Sequence, residues 1–495
     1  MTPAVALIDI GGSAVKVSIY ARHMKSPAVY RLDSSPHSDG FRVTLNPDVL
    51  FQNVVAALKG ASNLLSPGVE IGKVFISSIR QGFCLIRNDV EITPIIYNSD
   101  TSGEFAFSDV YDYGLDQIYF ETGHWFAPQL TLPKIIHLKC RQPALFQDGT
   151  KLLFVHDWLA WRLTGEIATE LTLVSGGQFA DINGKGVNFE LLDHFKFDSQ
   201  LLPEVKYFGA PLGGLLSKMT SSLGAIWGKA TVHIGGGDSH FLHVGATGGE
   251  AGVIAISAGS STPISYISDN LENTDGMKPW KSTSFLKNKY FYEGNVGYPG
   301  TYFGWISRQK FADGSDGSDG SDGSDGSDGF KDVTAADISM APHVFGSCRQ
   351  WDPDSWQNCP PFSILDMKAG HTLAQIKLGL TLDYAFALKN QINSLSVSQS
   401  INLPKIVMVG GGANTLLAKV LQSSLGRTVQ VVDSKICALR ILKYLDGSTE
   451  NENGNNSEVL AFEETVRLNI QAKELMHIQF YQEIQSAKAA IRNVA

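Results

Sequence analysis

Four glycine-rich turns, each closing an apolar run, hold the residues of this chain best suited to phosphate chemistry. They are "DIGGSAVK" (9–16), "IGGGDSH" (234–240), "SAGSST" (257–262) and "VGGGAN" (409–414). In the first, Gly11 and Gly12 let the backbone turn tightly and bring its N–H groups to an anion without side-chain obstruction. Ser13 adds a hydroxyl donor and Lys16 a cation, as a polyphosphate would want. Asp9 has the chemistry to hold Mg2+ through water, since that hard ion prefers carboxylate and keeps part of its hydration. The same stretch also reads as a tight hairpin with an exposed acid. A lone glycine cluster marks only a turn; four at the ends of strands point to strand ends converging on one nucleotide.

The elements that must position these turns alternate in type. Strands are expected at 5–10, 14–20 and 27–32, a helix over 47–65, and strands at 73–79 and in "FCLIRN". Residues 151–164, "KLLFVHDWLAWRL", read as one helix ended by Thr164 and Gly165. In the second half a helix over 371–395 precedes a strand in "KIVMVGGGAN" (405–414) and a further helix. Alternation of strands and amphipathic helices predicts an α/β architecture. Placing Gly11 over Gly259 lays "ALIDIGGSAVKVSI" on "VIAISAGSSTPISYI", strand on strand and small-residue turn on small-residue turn. A similarity half a chain apart predicts a duplicated two-domain fold with a central cleft.

Size agrees, because 495 residues and 53.7 kDa exceed one ordinary core. A formal charge of −9, spread along the chain with no Lys/Arg-rich stretch, argues against a nucleic-acid partner. The five cysteines are odd in number, scattered and free of CxxC spacing, which fits a reducing compartment. Asp9 interrupts the early apolar run before it could serve as a signal peptide. Nor does any uninterrupted apolar run reach the roughly 18 residues that span a bilayer. A cytoplasmic protein without a membrane partner is expected.

Two tracts stand apart. Residues 313–329 contain Ser-Asp-Gly repeated five times, with nothing apolar to bury, and are expected to be a mobile loop. Their Asp spacing is like that of calcium-binding repeats but lacks the interleaved apolar residues those stack on. The polar tract 446–458 precedes a C-terminal helix expected from about Val459 and packed on its own domain. His240 and His243 are one helical turn apart, but no third ligand is apparent, so they read as ordinary helix residues; Asp157 reads as structural.

Taken together, order and spacing resemble the FGGY family of carbohydrate kinases, within the actin, hexokinase and heat-shock-chaperone ATPase superfamily. The resemblance runs from residue 5 to about 445. "DIGGSAVK" resembles the family's first phosphate motif, "SAGSS" its second and "VGGGAN" its adenosine motif. "RQGFCLI" (80–86) sits where members carry a sugar-contacting motif, and "YNSDTSG" (97–103) resembles a further sugar-proximal segment. "DWLAWRLTGE" (157–166) is close to a characteristic helix end, and "GGGDSH" resembles the stretch holding the catalytic aspartate. The resemblance implies two duplicated ribonuclease H-like, actin-like ATPase domains, 1–246 and 247–495, around an active-site cleft. It implies ATP and Mg2+ as cofactors, a small sugar, ketose or polyol as acceptor, and Asp238 as the base that takes the hydroxyl proton. Arg80, Gln81 and Asp100 would bind substrate beside Asp238, and Asp9 would hold Mg2+. Gly11, Gly12, Ser13, Lys16, Gly259, Ser260 and Ser261 would surround the phosphates, and Gly411, Gly412, Ala413 and Asn414 would receive the adenosine. A homodimer stays open.

Departures from the family pattern bear on activity and substrate. Gly12 and Ser13 stand for the usual pair of threonines and Ala14 for a serine, so hydroxyl donors are lost while backbone N–H groups remain. Ser102 stands where many relatives have Arg, and "FGSCR" (345–349) replaces a Gly-Glu-Arg-like segment. The alternative to an enzyme is therefore a catalytically silent member that senses sugar or nucleotide. "RQG" is nearer to glycerol and autoinducer-2 kinases than to pentulose kinases, and does not name one sugar.

Overall fold

A computed structural model describes residues 2–184, 186–271, 278–308, 333–348, 362–397, 405–448, 457–458 and 461–492. The Ser-Asp-Gly loop lies outside the described residues, as does most of the 446–458 tract. In the first half, Thr2–Ile10 (β1), Ala14–Ala21 (β2) and Ala28–Asp33 (β3) form an antiparallel meander. Helix α1 (Pro47–Ser62), capped by the Asn46 side chain, crosses back to Val69–Ser78 (β4), which runs parallel to β1. Next come β5 (Phe83–Arg87), α2 (Thr131–Arg141), β6 (Thr150–Phe154), α3 (Val155–Thr164), β7 (Pro211–Gly214), β8 (Thr231–Gly237) and α4 (Asp238–Thr247). The six-stranded sheet of this half has the order β7-β8-β4-β1-β2-β3, with β8 parallel to β4.

The second half builds the same pattern. Ile254–Ser257 (β9), Pro263–Ser268 (β10), Trp280–Thr283 (β11) and Tyr290–Asn295 (β12) pair antiparallel. Helices Pro299–Ser307 (α5) and Leu373–Val397 (α6) lead to Ile406–Val409 (β13), parallel to β9. Helix α7 (Thr415–Leu425), β14 (Val429–Val432), α8 (Ser434–Asp446), β15 (Ser457–Glu458) and α9 (Glu464–Arg492) complete it. Its sheet order, β11-β12-β10-β9-β13-β14-β15, contains β12-β10-β9-β13-β14, the counterpart of β3-β2-β1-β4-β8. In both, three antiparallel strands are followed by two parallel ones, as the Gly11–Gly259 alignment predicts.

Strand β1 is apolar from Ala4 to Ile8 because both faces are covered there. Ala4, Ala6, Ile8 and Ile10 point into the first domain's core. Val5 and Leu7 point the other way, into a cluster shared with Val253, Ala255, Val407 and Val409 of the second sheet and with α4 and α8. The two sheets thus face each other across these two helices.

Two expectations need correction. Residues 151–154 are strand rather than helix: Thr150–Phe154 pairs antiparallel with β5, Leu152 opposite Leu85. The helix starts only at Val155, where the Asp157 carboxylate accepts the Phe154 N–H at 3.2 Å and blocks earlier propagation. The C-terminal helix begins at Glu464, not near Val459, and packs with Val466 and Ile470 in its own domain's core.

Candidate active site

Sheet register brings the chemistry together. On β1, Asp9 is paired across the sheet with Lys16 on β2 and Ser77 on β4, and Ser77 is in turn paired with Gly236 on β8. Asp238 follows two residues later, at the first position of α4. Two acids far apart in sequence therefore sit at the same end of one sheet. The Asp9 carboxylate accepts from Ser77 Oγ at 2.9 Å and lies 3.0 Å from Lys16 Nζ. The neighbouring turn is tied at Gly11, whose N–H bonds the Ala14 carbonyl at 2.9 Å and whose carbonyl takes the Tyr97 hydroxyl at 3.0 Å. Gly12 and Ser13 are exposed at its tip.

The Asp238 carboxyl is pushed up to about 7: burial disfavours its charge, the Arg80 guanidinium opposes that, and Asp9 and Glu293 repel it. Arg80 is itself buried, with Nη2 2.8 Å from Oε1 and 2.7 Å from Oε2 of Glu293 on β12. That ion pair crosses from one domain to the other.

The turn before Asp238 is held from behind. The Gly235 N–H donates to His156 Nε2 at 3.0 Å, and His156 Nδ1 lies 2.9 Å from Asp157 Oδ1. With Nε2 accepting, Nδ1 carries the hydrogen and donates to Asp157. The Gly237 N–H donates to Thr172 Oγ1 at 3.2 Å, and the Thr172 hydroxyl donates to Glu170. Gly235 is obligatory, because a Cβ there would stand 1.8 Å from the Ile76 carbonyl oxygen.

Gln81 is buried beside Arg80; its carbonyl accepts from Thr131 Oγ1 at 3.2 Å and Lys134 Nζ at 3.1 Å. Lys134, fully buried and pushed down to about 7 by burial, also donates to the Tyr97 carbonyl at 2.7 Å. Asp100 is buried too, but both its oxygens already serve local donors: Val43 N–H on one, Ser102 N–H and hydroxyl on the other. It closes its own loop.

In the second domain the turns at 258–262 and 410–414 are laced together. The Ala258 N–H bonds the Val409 carbonyl, and the Gly412 N–H bonds the Ala258 carbonyl, both at 2.8 Å. Ser261 Oγ accepts from Asn295 Nδ2 at 3.1 Å. A pocket there is lined by Gly259, Gly300, Phe303, Thr381, Tyr384, Gly412, Asn414 and Leu417. Ser260, Gly411 and Ala413 lie on the same two turns. Asn414 Oδ1 caps α7 by accepting the Leu417 N–H at 2.8 Å. Gly410 has φ +114, and a Cβ on it would meet the Ala258 oxygen at 2.4 Å. Sequence reasoning missed Gly410, Gly300 and Tyr384 here, and Glu293 and His156 at the other site. Only Gly410, inside "VGGGAN", carries a local signal.

The Asp9 carboxylate, partly exposed and flanked by the Ser77 hydroxyl and the Lys16 ammonium, could hold Mg2+ only through water, with phosphate supplying other ligands. Among the described residues no group of three or more His, Cys, Asp or Glu could form an all-protein metal cage. His240 stacks on Phe291 and His243 Nδ1 bonds Ser265 Oγ at 2.8 Å, and neither belongs to a group of three metal-ligating side chains among the described residues. No helix among the described residues is long and apolar enough to cross a membrane.

Two sheets of like topology, each ending in glycine turns, define a duplicated two-domain α/β fold. Residues 4–245 match the N-terminal domain of the FGGY family of carbohydrate kinases. Residues 4–245 therefore form an FGGY-family N-terminal domain, and the chain as a whole is similar to carbohydrate kinases, phosphotransferases with an alcohol group as acceptor. It is 27% identical over 296 residues to a putative sugar kinase, YoaC, of Bacillus subtilis, a match spanning 60% of this chain and 58% of that one. Over 408 residues, 82% of each chain, it is 20% identical to a xylulose kinase of Staphylococcus xylosus. In fold it is similar to a ligand-bound xylulose kinase from Lactobacillus acidophilus (TM-score 0.83, 17% identity, 99% of this chain and 100% of that one). It is also similar to the Plasmodium falciparum glycerol kinase with ADP (TM-score 0.81, 16% identity, 97% and 98%).

Proposed function

We propose that the chain transfers the γ-phosphoryl group of ATP to a hydroxyl of a small sugar, ketose or polyol. The observation that carries this reading is Asp238: half-buried at the start of its helix, within electrostatic reach of Asp9, Arg80 and Glu293, and poised near neutrality to accept a proton. The acceptor hydroxyl lies against Asp238, which takes its proton as the oxygen attacks; Arg80 and Gln81 orient the remaining hydroxyls, and Asp100 shapes the loop beside them. The turns Gly11–Ser13 with Lys16 and Gly259–Ser261 bracket the phosphates from the two domains, 1–246 and 247–495. The adenosine lies on Gly411–Asn414. Mg2+, when bound beside Asp9, supplies charge neutralisation at the phosphate oxygens. Closure of the two domains over the bound substrates would exclude water, the competing acceptor.

The test is coupled ADP release over a panel of pentuloses, hexuloses, polyols and the autoinducer-2 precursor. At least one compound is expected to turn over. Asp238→Asn should lower kcat by about 10²- to 10⁴-fold, since an amide cannot take the proton. Full turnover in the Asn variant would remove Asp238 from this role. ATP binding without turnover on any compound would favour a sensor.

A further inference from the structure

Buried polar atoms near Arg80 with no hydrogen-bond partner among the described residues include Arg80 Nη1, His124 Nε2 and Gln178 Oε1, with both ring nitrogens of His240 also open beside Arg80. Arg80 is 6% exposed, and His124 and Gln178 are 0% exposed. Buried polar groups are normally satisfied, so a set left open in one place calls for a ligand or water to complete it. They share one neighbourhood. Gln178 Nε2 donates to the His124 carbonyl at 2.7 Å, and the Arg80 charge bears on the His124 ring. A Cβ on Gly176, two residues before Gln178, would stand 3.0 Å from Arg80 Cβ; one on Gly237, beside Asp238, would stand 2.5 Å from Arg80 Cγ. Trp280, from the other domain, covers His124 with ring centroids 5.1 Å apart.

Arg80 Nη1 is a donor, whereas His124 and Gln178 both present acceptors. His124 Nδ1 lies 3.2 Å from the Thr122 carbonyl oxygen, so Nδ1 carries the hydrogen and Nε2 presents a lone pair. Burial and the Arg80 charge push His124 down to about 3, which keeps it neutral. The Gln178 amide nitrogen is already used, leaving its oxygen to accept. Asp238 and Glu293 add carboxylates, and the Arg80 charge is balanced by Glu293 at 2.7 Å. An acceptor-rich surface matches hydroxyl hydrogens and opposes a second anion.

We propose that His124 and Gln178 are specificity-determining residues of the acceptor subsite, selecting an uncharged ketose or polyol against sugar acids and sugar phosphates. This deepens the kinase reading and rests on it for the identity of the site. Calorimetric titration of the full chain with neutral pentuloses and pentitols and with the matching aldonates tests it. The best neutral compound is expected to bind at least about tenfold tighter than its aldonate. His124→Phe and Gln178→Leu should each weaken that compound about tenfold while Mg-ATP affinity stays unchanged, and His124→Gln, which keeps an acceptor, should recover most of the loss. An aldonate bound as tightly as its neutral counterpart, both variants retaining sugar affinity, or no compound binding at all would overturn the proposal. The wild-type comparison decides even if a variant fails to fold. A neutral sugar that binds without ADP release would sink the kinase reading alone, whereas preferential ADP release on an aldonate would sink the selectivity alone.

Discussion

Because the Asp238 carboxyl is held up to about 7, chiefly by burial, turnover should climb with pH through neutrality. A base with that pKa is about one-tenth ionised at pH 6 and about nine-tenths at pH 8, so kcat/KM for the sugar should rise about tenfold across the interval. Glu293→Gln probes the cause. Glu293 repels the Asp238 carboxylate and also balances Arg80, which stabilises it. Losing one negative charge removes the repulsion and frees the guanidinium charge for Asp238, and both effects favour the ionised base. The acidic limb should move down by on the order of one unit. The ionised fraction at pH 6 would then rise from about one-tenth to about one-half, roughly fivefold. Stability runs the other way. With a folded pKa of about 7 against an ordinary 3.8, this group stabilises the fold below the lower value and loses that contribution as pH rises through about 7. The assay is coupled ADP release from pH 5.5 to 8.5 on wild type and variant. A flat profile between pH 6 and 8, or a limb that moves upward in Glu293→Gln, would refute the electrostatic reasoning.

His156→Leu removes the acceptor of the Gly235 N–H and should lower kcat about tenfold or more with little change in either KM; His156→Gln should restore part of it. Equal rates in the two variants would leave the pair without a positioning role. Gly410→Ala forces a side chain into φ +114 and to 2.4 Å from the Ala258 oxygen, so ATP KM should rise severalfold and the melting temperature should fall. Gly12 is exposed with nothing within 4 Å of a built Cβ, so Gly12→Thr should fold normally. Its added hydroxyl should lower ATP KM by up to about tenfold, the worth of one hydrogen bond to a charged group; an unchanged KM would place the phosphates elsewhere.

What the sequence revealed follows from local physics. Strands β1 and β2 were legible because burial on both faces leaves apolar runs, and the turn between them because only small residues bend there beside an acid. The duplication was legible because both halves need the same hairpin, and the structure repeats it down to the two parallel strands that follow. The error at 151–154 has the same origin. Four apolar-rich residues run directly into a helix with no glycine or proline between, and periodicity over so short a stretch does not separate strand from helix.

The illegible part of the site is the part proposed to face the acceptor. Glu293 lies on an antiparallel strand with ordinary alternation, and nothing in "YFYEGN" announces that its carboxylate crosses to Arg80 in the other domain. His124 and Gln178 lie outside every glycine turn and meet only because one donates to the other's backbone. Phosphate can be gripped by backbone N–H groups, which demand glycine and so leave a trace in sequence. A sugar's hydroxyls are recognised by scattered side chains whose only common property is the place to which the fold brings them. It follows that kinship in the turns identifies the phosphoryl donor far better than the acceptor. Relatives such as the xylulose and glycerol kinases can therefore share this fold without sharing the residues that choose the sugar.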